Sequence, residues 1–243
     1  MAYTRTGPGA VWRLTQVLVM PLMRMFVTLT IREGSTLPPT GPFILAPNHY
    51  SEVDPVIMGV ATWRLGRIPR FLAKASLFRV PVLGAYLKAA GHIPVERQPS
   101  ARTSAPLDAS KRLIERGQGV IVYPEGTLTR DPNWWPMKGK TGAVRMALES
   151  GIPLYPAAHW GTHMIMGPYE GKFRLFPRPQ IEVIVGEEMD LSPWRGKPVT
   201  RELLEDATDQ LMRKITDLVA RLRDETPPTE LYQPTREIQE GRA

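Results

Sequence analysis

Short apolar runs alternate with helical patterns along most of this chain, which restricts it to a small set of folds. Strand-like runs recur at 26–31, 42–46, 119–123, 152–157 and 181–185, with weaker ones near 70–73 and 92–95. Helical patterns fall at about 52–65, 77–89, 106–117, 139–150 and 201–224. Strands alternating with helices predict an α/β sheet containing parallel pairs. Open sheets of this kind hold their ligands beyond the carboxyl ends of the strands. Polar residues that directly follow a strand are therefore the first candidates for chemistry.

The apolar run Phe43-Ile44-Leu45-Ala46 reads as a buried strand and leads into Asn48-His49-Tyr50-Ser51-Glu52-Val53-Asp54. Ser51, three residues before Asp54, predicts a capping-box-like helix start, and Pro55 is tolerated in a first helical turn. His49 then sits at the end of a strand, with Asp54 in the first turn of the next helix. From there the carboxylate can fold back onto the imidazole. A carboxylate in that position fixes the histidine tautomer and stabilises its protonated form, as a general base requires. The same residues also fit a plainer reading, a helix cap beside a surface histidine. A second run, Gly119-Val120-Ile121-Val122-Tyr123, leads into Pro124-Glu125-Gly126-Thr127, so Glu125 also follows a strand end and can converge with His49.

Two more blocks complete the pattern. Gly91-His92-Ile93-Pro94-Val95-Glu96-Arg97 ends in an arginine, and Ile152-Pro153-Leu154-Tyr155-Pro156-Ala157 is a strand punctuated by two prolines. Together, over about residues 26–160, the four blocks resemble the glycerolipid acyltransferase family. Its best-known members are the 1-acylglycerol-3-phosphate acyltransferases. The resemblance implies a mostly parallel mixed sheet flanked by helices, like that of glycerol-3-phosphate acyltransferases. It implies transfer of a fatty acyl chain from acyl-CoA or acyl-ACP to the hydroxyl of a lysophospholipid. The acceptor it points to is 1-acyl-sn-glycerol-3-phosphate, giving phosphatidic acid, with no cofactor beyond the acyl thioester co-substrate.

By the same resemblance, His49 and Asp54 are the catalytic pair, transfer is direct, and no protein nucleophile is needed. Arg97 would grip the acceptor phosphate with its planar fork, the alternative being a surface ion pair with Glu96 or a helix residue. Asn48, Glu125, Gly126 and Thr127 would contribute to substrate binding. Gly126 allows close backbone approach, and Glu125 would bind a backbone amide or an acceptor hydroxyl. Turn stabilisation is the alternative for Glu125. Ser51 and Thr127 also fit capping or backbone contacts.

One departure stands out. The family usually carries arginine directly after Glu-Gly-Thr, where this chain has Leu128. Arg130, Lys138 and Lys140 are candidates to replace the charge, the lysines being brought back by the Asp131-Pro132-Asn133 turn signal. Trp134 and Trp135 read as a lid or membrane-facing element, with core packing as the alternative.

Composition narrows the partners. The net charge of +7 over 243 residues calls for an anionic partner. Residues 63–80 interleave Arg64, Arg67, Arg70, Lys74 and Arg79 with aromatic and aliphatic side chains, which suits an anionic membrane surface. A solvated basic loop over a small apolar patch is the plainer alternative. No nucleic-acid-reading motif accompanies the charge. The chain has no cysteine, so it has no thiolate metal site or cysteine nucleophile, and no metal is expected.

Residues 11–31 contain Arg13, Gln16, Pro21 and Arg24 and are a poor membrane span. They predict an amphipathic helix over 11–23, lying on the membrane or packed on the domain. The expected organisation is a membrane-associating segment 1–25, an acyltransferase domain 26–225 and a loose polar tail 226–243. The expected location is the cytoplasmic face of a cell membrane, bound peripherally or monotopically. Two alternatives remain: the same chemistry on another lysolipid or a glycolipid, or a basic membrane-surface module without turnover.

Overall fold

The computed structural model describes residues 9–95, 111 and 113–233. The strands are β1 (Thr28–Ile31), β2 (Phe43–Pro47), β3 (Leu72–Lys74), β4 (Ile93–Val95), β5 (Gly119–Ile121), β6 (Leu154–Trp160) and β7 (Gln180–Val185). The α-helices are α1 (Ala10–Phe26), α2 (Asp54–Arg64), α3 (Leu83–Ala89), α4 (Gly142–Ser150), α5 (Thr162–Ile165) and α6 (Arg201–Arg223). Five strands form the main sheet in the order β1-β7-β6-β2-β5. The β1–β7, β2–β5 and β2–β6 pairs are parallel, and β6–β7 is antiparallel. This is the α/β, mostly parallel mixed sheet expected from the sequence.

Strand β2 is buried along its whole length, and its alternating side chains feed two cores. Ile44 and Ala46 face α4 and α6, where they meet Val144, Met146, Ala147, Leu211 and Ile215. Phe43 and Leu45 face the other way, onto Ile57, Met58 and Ala61 of α2. The sheet is thus sandwiched between helices. The apolar face of α6 packs on it through Leu204, Leu211, Ile215, Leu218 and Leu222, as its spacing predicts.

Several local expectations are revised. The helix expected over 77–89 is a 3₁₀ turn, Ala75–Arg79, followed by the short α3. Pro81 separates them: it has no N–H to donate and disfavours helical geometry in the residue before it. Val82 follows with a φ of 63°. The weak runs near 70–73 and 92–95 form a separate parallel pair, β3–β4, which touches the main sheet through a Phe71–Ile121 bridge. Of the helix expected over 106–117, residues 111 and 113–116 are helical, and 106–110 and 112 lie outside the described residues.

Helix α1 is docked on the domain by one stripe. The Trp12 indole N–H donates to Ala90 O at 3.1 Å and its ring stacks on Trp63, while Met23 and Phe26 pack against the α2-side core. Leu14, Val17, Leu18, Leu22 and Met25 form the opposite stripe and are exposed. Among the described residues no helix is long and apolar enough to cross a membrane.

The basic stretch 63–80 divides in two. Arg64 donates to Leu29 O at 2.7 Å. Arg67 donates to Gly41 O and Gly117 O and lies over the Phe43 ring. These two cations tie loops to the sheet. Lys74, Leu77, Arg79, Val80 and Val82 remain exposed.

Gly161 ends β6 with a φ of 104°, and a Cβ there would lie 2.2 Å from Gln180 O. That oxygen belongs to the paired strand β7 and cannot move aside cheaply. Gly161→Ala is therefore expected to destabilise the protein by about 1–3 kcal/mol, or roughly 2–12 °C in Tm. A thermal melt checks this.

Candidate active site

Strands β2, β5 and β6 run parallel to one another, so their carboxyl ends open at one pole of the sheet. The segments that leave β2 and β5 carry His49 and Glu125, and His159 lies near the end of β6. There the Asp54 carboxylate, at the start of α2, turns back on the residues before it. Its Oδ2 accepts hydrogen bonds from Tyr50 N at 2.6 Å and Ser51 N at 2.9 Å, and meets His49 Nδ1 at 2.8 Å. A carboxylate only accepts, so the His49 proton belongs on Nδ1 and the Nε2 lone pair is left for chemistry.

The Asp54 side chain is fully buried. Burial opposes its ionisation, but charge and hydrogen bonding from His159, then from His49, outweigh that and hold the carboxyl well below the usual range. The helix N-terminus also favours the anion.

The helix start differs in detail from the capping box expected. Val53 is the N-cap and makes no side-chain cap bond. Ser51 Oγ donates to Met166 O at 2.6 Å, across the pole, and accepts from Val53 N at 3.3 Å, one turn position short of the helix. The carboxylate half of the motif persists, with Asp54 Oδ2 accepting from Ser51 N.

His49 is held through its backbone as well. Its N–H donates to Glu125 Oε1 at 2.9 Å, and its carbonyl accepts from Thr129 N at 2.7 Å. Its ring stacks on Tyr123 with 4.0 Å between centroids. The other Glu125 oxygen accepts from Met137 N at 3.0 Å. Of the roles open to Glu125, the geometry supplies the backbone-amide one. Burial pushes its carboxyl up to about 8, against the lowering effect of those two N–H groups.

Asn48 is fully buried and clamps β2 to β6. Its amide donates to His159 O at 3.0 Å and accepts from His159 N at 2.9 Å, and its carbonyl meets His159 Nε2 at 2.9 Å. His159 Nε2 is also 3.5 Å from Asp54 Oδ2. Sequence reasoning missed His159. The available signal was a histidine at the end of a proline-punctuated buried strand, at the same pole as His49. His163 was missed too: it packs among Tyr50, Trp134 and Trp160, where burial lowers it to about 4.

The remaining candidates separate. Gly126 has a φ of 70°, and a Cβ there would lie 2.9 Å from Lys140 Cδ, so Lys140 lies across the Glu125-Gly126 turn. Thr127 Oγ1 is 3.0 Å from the Tyr169 hydroxyl, which Arg130 Nε also approaches, at 3.4 Å. Leu128 is buried. Lys138 lines a groove with Asp209, Arg213 and Asp217 near the 227–233 stretch. Arg97 lies outside the described residues.

Trp135 is buried against the α6 core beneath the Arg223 guanidinium. Trp134 packs against Tyr50 and His163. The pair is thus packing rather than a lid or membrane-facing element, because the Asp131 side chain folds the loop inward by accepting from Asn133 N and Trp135 N. Among the described residues no three His, Cys, Asp or Glu side chains are placed to hold a metal ion.

A family model described as acyltransferase matches residues 28–160, which contain Asn48, His49, Asp54, Glu125 and His159. The chain belongs to the acyltransferase family. It is 29% identical over 205 residues to the 1-acyl-sn-glycerol-3-phosphate acyltransferase of Bacillus subtilis (strain 168), covering 81% of this chain and 94% of that protein. It is 33% identical over 134 residues to the 1-acyl-sn-glycerol-3-phosphate acyltransferase of Limnanthes douglasii, covering 54% of this chain and 45% of that one. The chain thus spans less than half of the plant relative. Its fold is that of the crystal structure of the 1-acyl-sn-glycerophosphate (LPA) acyltransferase, PlsC, from Thermotoga maritima. The TM-score is 0.60 at 21% identity, over 86% of this chain and 80% of that one.

The two buried carboxyls of this acyltransferase act oppositely on stability. Asp54 is depressed, so its contribution is present above the ordinary carboxylate range and is lost as pH falls. Glu125 is raised, so its contribution is full below its ordinary value of 4.5 and is lost as pH rises toward about 8. Glu125→Gln removes that titration. Melts from pH 4.5 to 8 should show the wild type losing stability relative to Glu125→Gln.

Proposed function

We propose that this acyltransferase moves a fatty acyl chain from acyl-CoA or acyl-ACP to the free hydroxyl of 1-acyl-sn-glycerol-3-phosphate, forming phosphatidic acid. The observation that carries the reading is the His49–Asp54 pair, set beside the Glu125-Gly126-Thr127 turn at the carboxyl pole of the sheet. His49 Nε2 takes the proton from the acceptor hydroxyl as its oxygen attacks the thioester carbonyl. Asp54 keeps the proton on Nδ1 and offsets the charge of the imidazolium. The tetrahedral intermediate then expels the thiolate, which recovers the proton from His49. Ser51 and Thr127 are engaged with Met166 O and Tyr169, which agrees with direct transfer and no acyl-enzyme.

Asn48 and Glu125 set the position of His49 in this reading. Gly126, Thr127, Arg130 and Lys140 border the acceptor, and Arg97 remains a candidate for its phosphate. Asp54→Asn is expected to cost roughly 10²–10⁴-fold in rate, since tautomer control and charge stabilisation go together. Transfer assays with both donors against lysophosphatidic acid, lysophosphatidylcholine and monoacylglycerol test the substrate. A preference for lysophosphatidic acid is expected. Equal use of all three would assign another lipid, the reading that the buried Leu128 favours.

We further propose that the protein works on an anionic membrane surface, through segment 1–25 and the exposed part of 63–80, on the cytoplasmic face. The outer stripe of α1 supports this, as do Arg13, Arg24 and the exposed Phe173 and Phe176. Phe176 meets Phe26 at the end of α1. Apolar groups flanked by cations suit the boundary between acyl chains and head groups. Vesicle sedimentation should show tighter binding to anionic than to neutral lipid, weakened by salt as the Debye length falls below about 8 Å. Equal, salt-independent binding to both would contradict the electrostatic part.

A further inference from the structure

We propose that Tyr169 is a positioning residue for the acceptor, bridging Thr127 and Arg130 so that the Arg130 guanidinium is held where the phosphate of the lysolipid arrives. This rests on the lysophosphatidate reading above. The Tyr169 hydroxyl is 3.0 Å from Thr127 Oγ1 and accepts from Arg130 Nε at 3.4 Å. The Arg130 guanidinium carbon lies 5.3 Å from the centroid of the Tyr169 ring, within cation–π range. One tyrosine thus holds the arginine through both its hydroxyl and its face. With Nε–H directed at the tyrosine oxygen, the tyrosine O–H is free to donate a hydrogen bond to Thr127 Oγ1 and orient the threonine hydroxyl.

The position of this bridge gives it its meaning. Thr127 follows the Glu125 that holds His49 N, and Thr129 N holds His49 O. Thr127 and Arg130 therefore flank the contact that fixes the catalytic backbone. Between them Leu128 is buried, and Arg130 is the first cation after the Glu125-Gly126-Thr127 turn. A long arginine side chain needs something to aim it.

Tyr169 is built to be that element. Its backbone lies in the left-handed region with a φ of 63°, a conformation that a β-carbon disfavours. The surrounding turn enforces it from several sides. Tyr169 N donates to Glu52 Oε1 at 3.3 Å, Ser51 Oγ to Met166 O at 2.6 Å, and Arg174 N to Ile165 O at 2.7 Å. Two of these three anchors come from the segment between His49 and Asp54, so the turn is registered to the catalytic pair. The ring itself remains largely exposed, although it makes these contacts. A group kept at the surface in a disfavoured conformation, facing the acceptor turn, is placed for recognition rather than for core packing.

The test is a double-mutant cycle of Tyr169→Phe and Arg130→Ala, read as KM and kcat for acceptor and donor, with a thermal melt of each variant. Tyr169→Phe keeps the ring and the turn and removes only the bridging hydroxyl. It should raise the KM for lysophosphatidic acid about three- to tenfold, with the donor KM and kcat moving far less and the Tm unchanged. In the Arg130→Ala background the same substitution should have little further effect, because the arginine it positions is gone. Additive losses, or an equal rise in donor and acceptor KM, would overturn the proposal. The acceptor preference of the wild type measures the underlying reading separately. If the wild type prefers another lysolipid, that reading fails, and non-additivity between Tyr169 and Arg130 on the preferred acceptor still decides the role of Tyr169.

Discussion

A single oxygen, Oδ2 of Asp54, gathers His49 Nδ1 and the N–H groups of Tyr50 and Ser51 around one fully buried carboxylate, with His159 Nε2 3.5 Å away. A buried carboxylate is costly unless it is hydrogen-bonded and partnered by positive charge. Here two backbone amides, the His49 ring N–H and the positive end of the helix dipole meet that requirement at Oδ2, with His159 beside it. Remove the carboxylate and two amides lose their acceptor, the His49 ring loses its tautomer partner, and the first turn of α2 loses its only acidic group. The local fold and the chemistry therefore depend on the same atom.

The sheet converts this local motif into a site. Because β2, β5 and β6 are parallel, three connecting segments leave the same pole and can bond to one another. Glu125 and Thr129, after β5, hold the two sides of the His49 peptide unit, and His159, at the end of β6, is clamped to Asn48. A general base must be placed to within a fraction of an ångström, and backbone bonds from two neighbouring strands supply that rigidity. The acyltransferase family to which the chain belongs is thus recognisable in physical terms. The conspicuous motifs are the two ends of a hydrogen-bonded frame, and the reactive imidazole is set inside it.

Much of this was legible in the residues. The alternation of apolar runs with helical patterns specified the parallel pairs, and the five-residue step from His49 to Asp54 specified the fold-back onto the ring. Other features were hidden for identifiable reasons. Ser51 reads as a cap, but the helix starts two residues later than a cap there requires, and its hydroxyl ties Met166 O across the pole. Trp134 and Trp135 read as exposed because they follow a turn, yet Asp131 bends that turn inward. Arg64 and Arg67 read as part of a membrane stripe, and their forks instead bind a β1 carbonyl and loop carbonyls respectively. His159 carries only its place at a strand end and Tyr169 no local pattern, since what matters in each is a partner more than forty residues away in sequence.

The account stands on His49 being the base that the frame exists to hold. The most direct measurement is single-turnover acyl transfer by His49→Ala beside its thermal melt. The backbone bonds from Glu125 and Thr129 remain in the variant, so it should still fold and melt cooperatively, at a Tm lowered by the lost Asp54 contact and Tyr123 stack. Lacking the imidazole, it should transfer no acyl chain above background. Turnover near the wild-type rate in a folded His49→Ala protein would contradict the account.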